Sequence, residues 1–441
     1  MDKIGAEILR PPRGTRDFLP EQMMKRNAVL DAVRQVFESY GYDPLGTPAF
    51  ENWELLKLKS GEEVKEQIYY FRDKSGRELG LRPEMTPSLA RVVAGKKDLL
   101  MPFKRYAVGP VWRYERPSSG RFREFYQADV DIVGSYDPAS DAEVIAVAVD
   151  CLKALGFREF TVKLNDRRLL EGLLTIVGIP TEKAPNVFRV LDKLAKIGTE
   201  EVSKMLMELG LDAAETGKLL DTVSLKGRPD EVLSQVRRML ADVQEYFVAC
   251  TSLEGIVKCS EAFGFSEYLM IDLSLARGLD YYTGPVFEVS LGDSLGSVAG
   301  GGRYDELIEA FGGRAVPATG ISLGIERVIV LLDKGGFFKP LKTSSQVFVG
   351  SATMSVRDEA IRISRRLREA GLRVDLDLMG RSLTNQLEYA DKKGIGVSVI
   401  VGERELKEGC VLMKDMAKKE QAKVRLDELV DRIRARFDEG P

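Results

Sequence analysis

Counted with a period of two, Arg121, Arg123, Phe125, Gln127, Asp129 and Asp131 fall on one face of an extended segment. Phe122, Glu124, Tyr126, Ala128, Val130 and Ile132 fall on the other, more apolar face. Basic, amide and acidic groups in one row read as the floor of a polar pocket or as a solvated sheet face. Arg113, opposite on the expected partner strand, favours the pocket. Arg277 follows the run IDLSLA and precedes Gly278, which sets a cation at the end of a buried strand unless it pairs with Asp272 or Asp280. Arg327 follows Gly320 and Gly324 in an otherwise apolar run. It falls in the first turn of an expected helix, where the helix N-terminus favours anions; the alternative there is a surface salt bridge.

The chain has 441 residues and no histidine. That excludes a histidine general base, a Ser-His-Asp triad and histidine metal ligands. Chemistry must run on arginines, carboxylates, tyrosines, backbone and the substrates themselves. No GxxxxGK[ST] or GxGxxG pattern occurs, so a bound nucleotide needs another device. The four cysteines, Cys151, Cys250, Cys259 and Cys410, form no CxxC pair. No zinc is expected, and the cysteines are read as reduced, buried thiols. A net charge of -3 gives no global attraction to nucleic acid, so any such contact rests on local basic patches. No apolar run is long enough for a membrane span or a leader, and a cytoplasmic location is expected.

This length implies two or three domains. An amphipathic helix is expected over 21–40, stopped by Gly41. Strand patterns follow at 69–81, then a helix behind Thr86-Pro87. Two antiparallel strands are expected in 105–133, with a mobile loop at Pro117-Ser118-Ser119-Gly120 between them. Residues 139–156 read as helix, 160–164 as strand, and about 167–265 as an almost wholly helical insertion. Strands return at 268–276 and 285–291, a Gly-Gly-Gly turn at 300–302 precedes a helix, and a strand-to-helix turn lies within 319–333. Residues 334–345 read as a linker. Beyond it, β-α alternation predicts a small α/β domain with a largely parallel sheet and a last helix over 425–437.

The segment WRYERPSSGRFREFYQADVDIVG (112–134) resembles motif 2 of class II aminoacyl-tRNA synthetases in its histidyl form. PRGTRDFLP (12–20), LRPEMTPSLAR (81–91), RGLDYYTGPVFE (277–288), GGGRYDEL (300–307) and GISLGIERV (320–328) resemble other blocks of the histidyl-tRNA synthetase family, in the same order. ADKKG, VGERELKEG and VLMKDM resemble parts of its anticodon-binding domain.

The resemblance implies an α+β fold. A class II antiparallel-sheet catalytic domain over 1–333 would carry the helical insertion, and 346–441 would be the anticodon-binding α/β domain. It implies ATP, L-histidine and tRNA(His) as substrates, Mg²⁺ with the ATP, and a homodimer. Arg113 and Arg277 would be catalytic, at the α-phosphate and the reacting carboxylate. Glu84, Met85, Thr86 and Gln127 would surround the amino group; Asp131 and Tyr282, with Tyr281 beside it, the imidazole. An acid and a phenol facing each other suit a ring with two polar nitrogens, though the tyrosine pair also reads as an aromatic core contact. Arg121, Arg123, Glu115 and Arg327 would complete the ATP site with Arg113. Lys193, Lys196, Arg228, Arg237 and Arg238 are candidates for the tRNA acceptor stem, or ordinary solvated positions. Two other readings of the same fold are a non-catalytic regulatory subunit of ATP phosphoribosyltransferase and an RNA-binding regulatory protein. The missing histidine either insulates synthesis of the chain from histidine shortage or marks a reconstructed sequence.

Overall fold

The structure is a computed structural model, and it describes residues 8–58, 66–117, 120–276, 281–292, 296–338 and 342–438. Contacts divide the chain into one unit of Met1–Asp17 and Arg26–Phe337 and another of Phe18–Lys25 and Phe338–Pro441.

Helix α1 (Pro20–Ser39) buries Val29, Leu30, Val33 and Phe37, the helically spaced residues of its sequence. It stops before Gly41, whose φ of 75° only glycine adopts readily. Then follow β1 (Asp43–Pro44), β2 (Phe50–Asn52), β3 (Tyr70–Arg72) and β4 (Glu78–Leu81). The last three form a small sheet in the order β2-β4-β3. Helix α2 (Thr86–Gly95) carries Pro87 in its first turn, where the missing N–H is harmless. Strands β5 (Phe103–Trp112) and β6 (Glu124–Val133) pair antiparallel, with Ala107 opposite Asp129 and Gly109 opposite Gln127.

Helix α3 (Pro138–Ala154) is capped by the Asp137 side chain, which accepts from the Ala139 N–H. Eleven of its residues are buried, as expected for a helix covered on both sides. β7 (Thr161–Asp166) leads into α4 (Arg167–Val177), capped by Asp166. From there to α5 (Phe247–Ala262) the described chain is helical except for β8 (Lys226–Gly227). β9 (Leu269–Asp272), β10 (Pro285–Ser290), β11 (Ser297–Arg303), β12 (Ala318–Gly324) and α6 (Ile325–Lys334) complete the unit. Its large sheet has the order β1-β5-β6-β12-β11-β10-β7-β9-β8. The β1–β5 and β7–β9 pairs are parallel and the others antiparallel.

Gly300, Gly301 and Gly302 are strand residues of β11, not the turn expected from sequence. At Gly301 and Gly302, backbone and aromatic rings occupy the space a side chain would take. A Cβ on Gly301 would meet Phe287 at 2.7 Å and the Gly320 carbonyl oxygen at 1.9 Å, and one on Gly302 would meet the Tyr282 ring at 2.9 Å. The helix that follows is a single turn, Leu307–Ala310.

The second unit contains β13 (Val347–Ser351), α7 (Arg357–Glu369), β14 (Val374–Leu376), α8 (Leu383–Lys393), β15 (Val397–Val401), β16 (Cys410–Asp415), β17 (Gln421–Arg425) and α9 (Leu429–Asp438). Its sheet runs β14-β13-β15-β16-β17. Only the β13–β14 and β13–β15 pairs are parallel, so the largely parallel sheet of the sequence reading is corrected to a mixed one. The missed hairpin, β16 and β17, carries several lysines and only a few deeply buried apolar residues, a weak alternating pattern. It also takes over the start of the last expected helix, which begins at Leu429 rather than 425. Cys151 and Cys250 are buried as expected, but Cys259 and Cys410 are only half-buried.

Candidate active site

Residues paired across antiparallel strands project to the same side of a sheet. Gln127, Asp129 and Asp131 of β6 therefore share a face with Ala107 and Gly109 of β5. Gly324, Ser322 and Gly320 of β12 share it as well, as do Gly300 and Gly302 of β11. A row of polar side chains thus crosses a floor of glycine, alanine and serine. The opposite face is covered by α3, whose Asp141 takes two hydrogen bonds from Arg303 at 3.1 and 2.6 Å. Gln127, Asp129 and Asp131 are 9%, 3% and 3% exposed, which rules out a solvated sheet face. Arg121 and Arg123 lie just before β6, which starts at Glu124.

Asp131 sits at the inner end of the row. The Arg105 guanidinium is 2.8 Å from its Oδ2, in an ion pair off the line of a good hydrogen bond. The Tyr304 hydroxyl donates to its Oδ1. Burial raises the Asp131 pKa, opposed by the Arg105 charge and the Tyr304 hydrogen bond. Gly320 must be glycine here, since a Cβ would lie 2.1 Å from Asp131 Oδ1. Neither Arg105 nor Tyr304 was singled out from sequence. Tyr304 lies inside the block GGGRYDEL, but nothing in the spacing shows that it reaches Asp131.

The wall above the floor comes from 82–86 and 281–282. Arg82 is anchored by hydrogen bonds to the carbonyls of Pro110 and Thr47 at 3.1 and 3.0 Å. Its Nη2 crosses Gly109, 3.0 Å from where a Cβ would stand. Glu84 is buried and accepts from the Tyr281 hydroxyl at 3.2 Å. Thr86 also hydrogen-bonds Tyr281, whose own pKa is raised chiefly by burial. Met85 is buried with Ala107 and Val111. The Tyr281 and Tyr282 rings meet edge to face at 5.0 Å, and Tyr281 meets Tyr304 in the same way at 5.9 Å. These tyrosines are buried core contacts.

The arginines expected at ATP are differently placed. Arg113 lies opposite Arg123, its N–H bonded to the Arg123 carbonyl at 3.0 Å. Its Nε donates to the Pro83 carbonyl at 2.9 Å, which ties it to the residue before Glu84. Arg327 is in the first turn of α6, donates to the Ser297 carbonyl, and has its Cγ 3.8 Å from a Cβ position on Gly120. Its neighbour Glu326 is buried between Arg26 and the Tyr126 N–H, which it accepts at 2.8 Å. Glu326 thus pins the start of α6 to β6, a positioning role the sequence did not reveal. Arg123 is engaged with the carbonyls of Glu115 and Arg13 at 3.2 and 3.3 Å and lies over the Tyr114 ring. Arg121 stays more exposed, 3.7 Å from Glu115. Arg277, Ser118, Ser119 and Asp280 lie outside the described residues. Among the described residues no three Cys, Asp or Glu side chains gather to hold a metal ion, and no helix is long and apolar enough to cross a membrane.

An antiparallel sheet with acceptors on its open face, arginines at its edge and no phosphate-binding glycine loop is the catalytic architecture of class II aminoacyl-tRNA synthetases. The profile described as histidyl-tRNA synthetase matches residues 14–328, and one described as anticodon binding domain matches 346–436. A histidine--tRNA ligase of Pyrococcus abyssi is 42% identical over 96% of this chain and 98% of its own. The crystal structure of histidyl-tRNA synthetase from Nostoc sp. superposes with a TM-score of 0.85 at 32% identity, covering 98% of this chain and all of that one. A Bacillus halodurans structure described as an ATP phosphoribosyltransferase regulatory subunit/histidyl-tRNA synthetase scores 0.76 at 26% identity, covering 90% and 98%. The chain belongs to the histidyl-tRNA synthetase family. Its curated relatives favour the ligase reading over the regulatory one.

Proposed function

We propose that this chain activates L-histidine with ATP to histidyl-adenylate and transfers the histidyl group to the 3′ end of tRNA(His). The observation that carries the reading is the buried row Gln127, Asp129, Asp131 beneath Tyr281, Tyr282 and Tyr304, in a chain of this family. A flat ring with two polar nitrogens fits between an acid–phenol pair and an aromatic wall. A site that hydrogen-bonds its substrate rejects analogues lacking those groups by about 10⁴–10⁵.

Asp131 accepts from one imidazole nitrogen and Tyr282 meets the other, with Tyr281 beside it. Glu84, Thr86 and Gln127 receive the α-amino group, over Met85. Arg113 and Arg277 bind the α-phosphate and the histidine carboxylate. Arg327 takes the far phosphates; Glu115, Arg121 and Arg123 frame the adenine end. The carboxylate oxygen attacks the α-phosphorus in line, the bond to the bridging oxygen breaks, and pyrophosphate leaves. Positioning and charge neutralisation by arginine carry this step. Mg²⁺ enters with the ATP. In the second step the 3′-terminal hydroxyl attacks the carbonyl carbon and AMP leaves. No side-chain base is assigned, and the phosphate oxygen of the adenylate takes the proton.

Residues 1–333 form the catalytic domain, with the insertion at about 167–265, and 346–441 bind the anticodon. The protein works as a cytoplasmic homodimer. Charging tests the whole reading. Purified protein with ATP, Mg²⁺ and labelled histidine is expected to histidylate tRNA(His) and no other tRNA. Failure to charge it, or equal charging of unrelated tRNAs, would refute the reading.

A further inference from the structure

The roles proposed above use the two outer members of the β6 row and leave the middle one idle. Asp129 stands two residues from Gln127 and two from Asp131, on the face that makes the floor. Its neighbours on the adjacent strands are Ala107 and Ser322, both small, and Ser322 hydrogen-bonds its carboxyl. Asp129 Oδ1 is buried with no hydrogen-bond partner among the described residues, and so is Gln127 Oε1. Buried acceptors without donors are uncommon and unfavourable in folded proteins. Two adjacent ones on a pocket floor mark where a ligand's donors belong.

The charges around Asp129 indicate which ligand group that is. Arg105 faces it from β5, Asp131 from its own strand, Glu84 from the segment before α2, and Arg82 from the end of β4. Three carboxyl groups thus share the space with two guanidiniums, one negative charge in excess if all are ionised. An α-ammonium group brings one positive charge and three N–H donors. Gln127 and Asp129 offer it acceptors that no described residue satisfies, whereas Glu84 and Thr86 are each already hydrogen-bonded to Tyr281.

We propose that Asp129 is a further histidine-recognition residue, which gives up a proton to solvent as the α-ammonium of the amino acid docks against it and Gln127. The proposal rests on the assignment of this pocket to histidine. Burial pushes the Asp129 carboxyl up to about 7, with Arg105 opposing and Asp131 and Glu84 adding to the rise. The empty pocket is therefore part-protonated near neutrality. A cation beside the carboxyl favours its charged form and expels the proton.

Titration calorimetry of L-histidine in two buffers of different ionisation enthalpy reads the protons released on binding. Histidine's own imidazole contributes equally to wild type and to Asp129→Asn, so the difference belongs to Asp129. At pH 7 the wild type is expected to release about half a proton more than Asp129→Asn, and at pH 9 almost none more. The variant's affinity should fall roughly ten- to a hundredfold at pH 8 and much less at pH 6. Asp129→Glu, which keeps a carboxyl, should keep the excess release and guards against a variant that fails to fold. Equal release by wild type, Asp129→Asn and Asp129→Glu, with a pH-independent affinity ratio, overturns the proposal. A wild type that binds no histidine at any pH overturns the pocket assignment itself.

Discussion

At the residue scale, the pocket is held by buried charges that depend on one another. Arg105 and Asp131 are 1% and 3% exposed, and neither has water as an alternative partner. Removing one member of such a pair strands the other, at a cost of about 3–5 kcal/mol. Arg105→Met should therefore lower unfolding stability by that amount in urea titrations at pH 7, and adding Asp131→Asn should recover part of it. Arg113 is half-buried at the rim, so Arg113→Ala should leave stability nearly intact while slowing histidine activation by about 10²–10³. Asp129 adds a pH dependence. Its folded pKa is raised to about 7 from an ordinary value near 3.8. Its contribution to stability is thus fully present below about pH 4 and is lost as pH rises through 7. The urea midpoint of the empty wild type should fall from pH 5 to pH 8 relative to Asp129→Asn, and saturating histidine should shrink that difference. Gln127, Asp129 and Asp131 were legible as one face, because a strand's period is fixed. Arg105 and Tyr304 were not, because nothing local in a sequence shows which buried residues meet across strands.

At the scale of elements, the strong patterns read correctly. Gly41, Gly371 and Gly394 follow helices α1, α7 and α8 with φ of 75°, 84° and 76°, and Thr86-Pro87 opens α2. Glycines 300–302 were misread because glycine serves both turns and close approaches, and only the neighbours tell which. Phe287 and Tyr282 supply the answer, and both are distant in sequence. Gly301→Ala tests it. A Cβ there has no room against the Gly320 carbonyl, so β11 and β12 would have to part. The variant should be destabilised by about 1–3 kcal/mol or more, measured by thermal unfolding; a turn glycine with an ordinary φ would tolerate alanine. The β16–β17 hairpin escaped the sequence reading for a different reason. Its alternation is diluted by lysines, as befits strands with one wet face.

At the scale of the molecule, the two proposed domains have two tasks. A chain ending after residue 337 should retain histidine-dependent pyrophosphate exchange and lose most of its tRNA charging, which filter-bound label would measure. Loss of exchange along with charging would argue against that division. The absence of histidine from all 441 residues also acts at this scale. The only imidazole in the site is the substrate's, and making the chain consumes no histidyl-tRNA. Its synthesis in histidine-starved cells should continue after that of a variant carrying several added histidines has stopped; equal arrest of both would deny the composition that effect.

The central claim is that a pocket of buried acceptors and tyrosines selects histidine for activation. Amino-acid-dependent ATP–pyrophosphate exchange, run separately with each of the standard amino acids, tests it most directly. Exchange with histidine alone, lost in Arg113→Ala, is the predicted result. Exchange driven by a different amino acid, or by none, would contradict it.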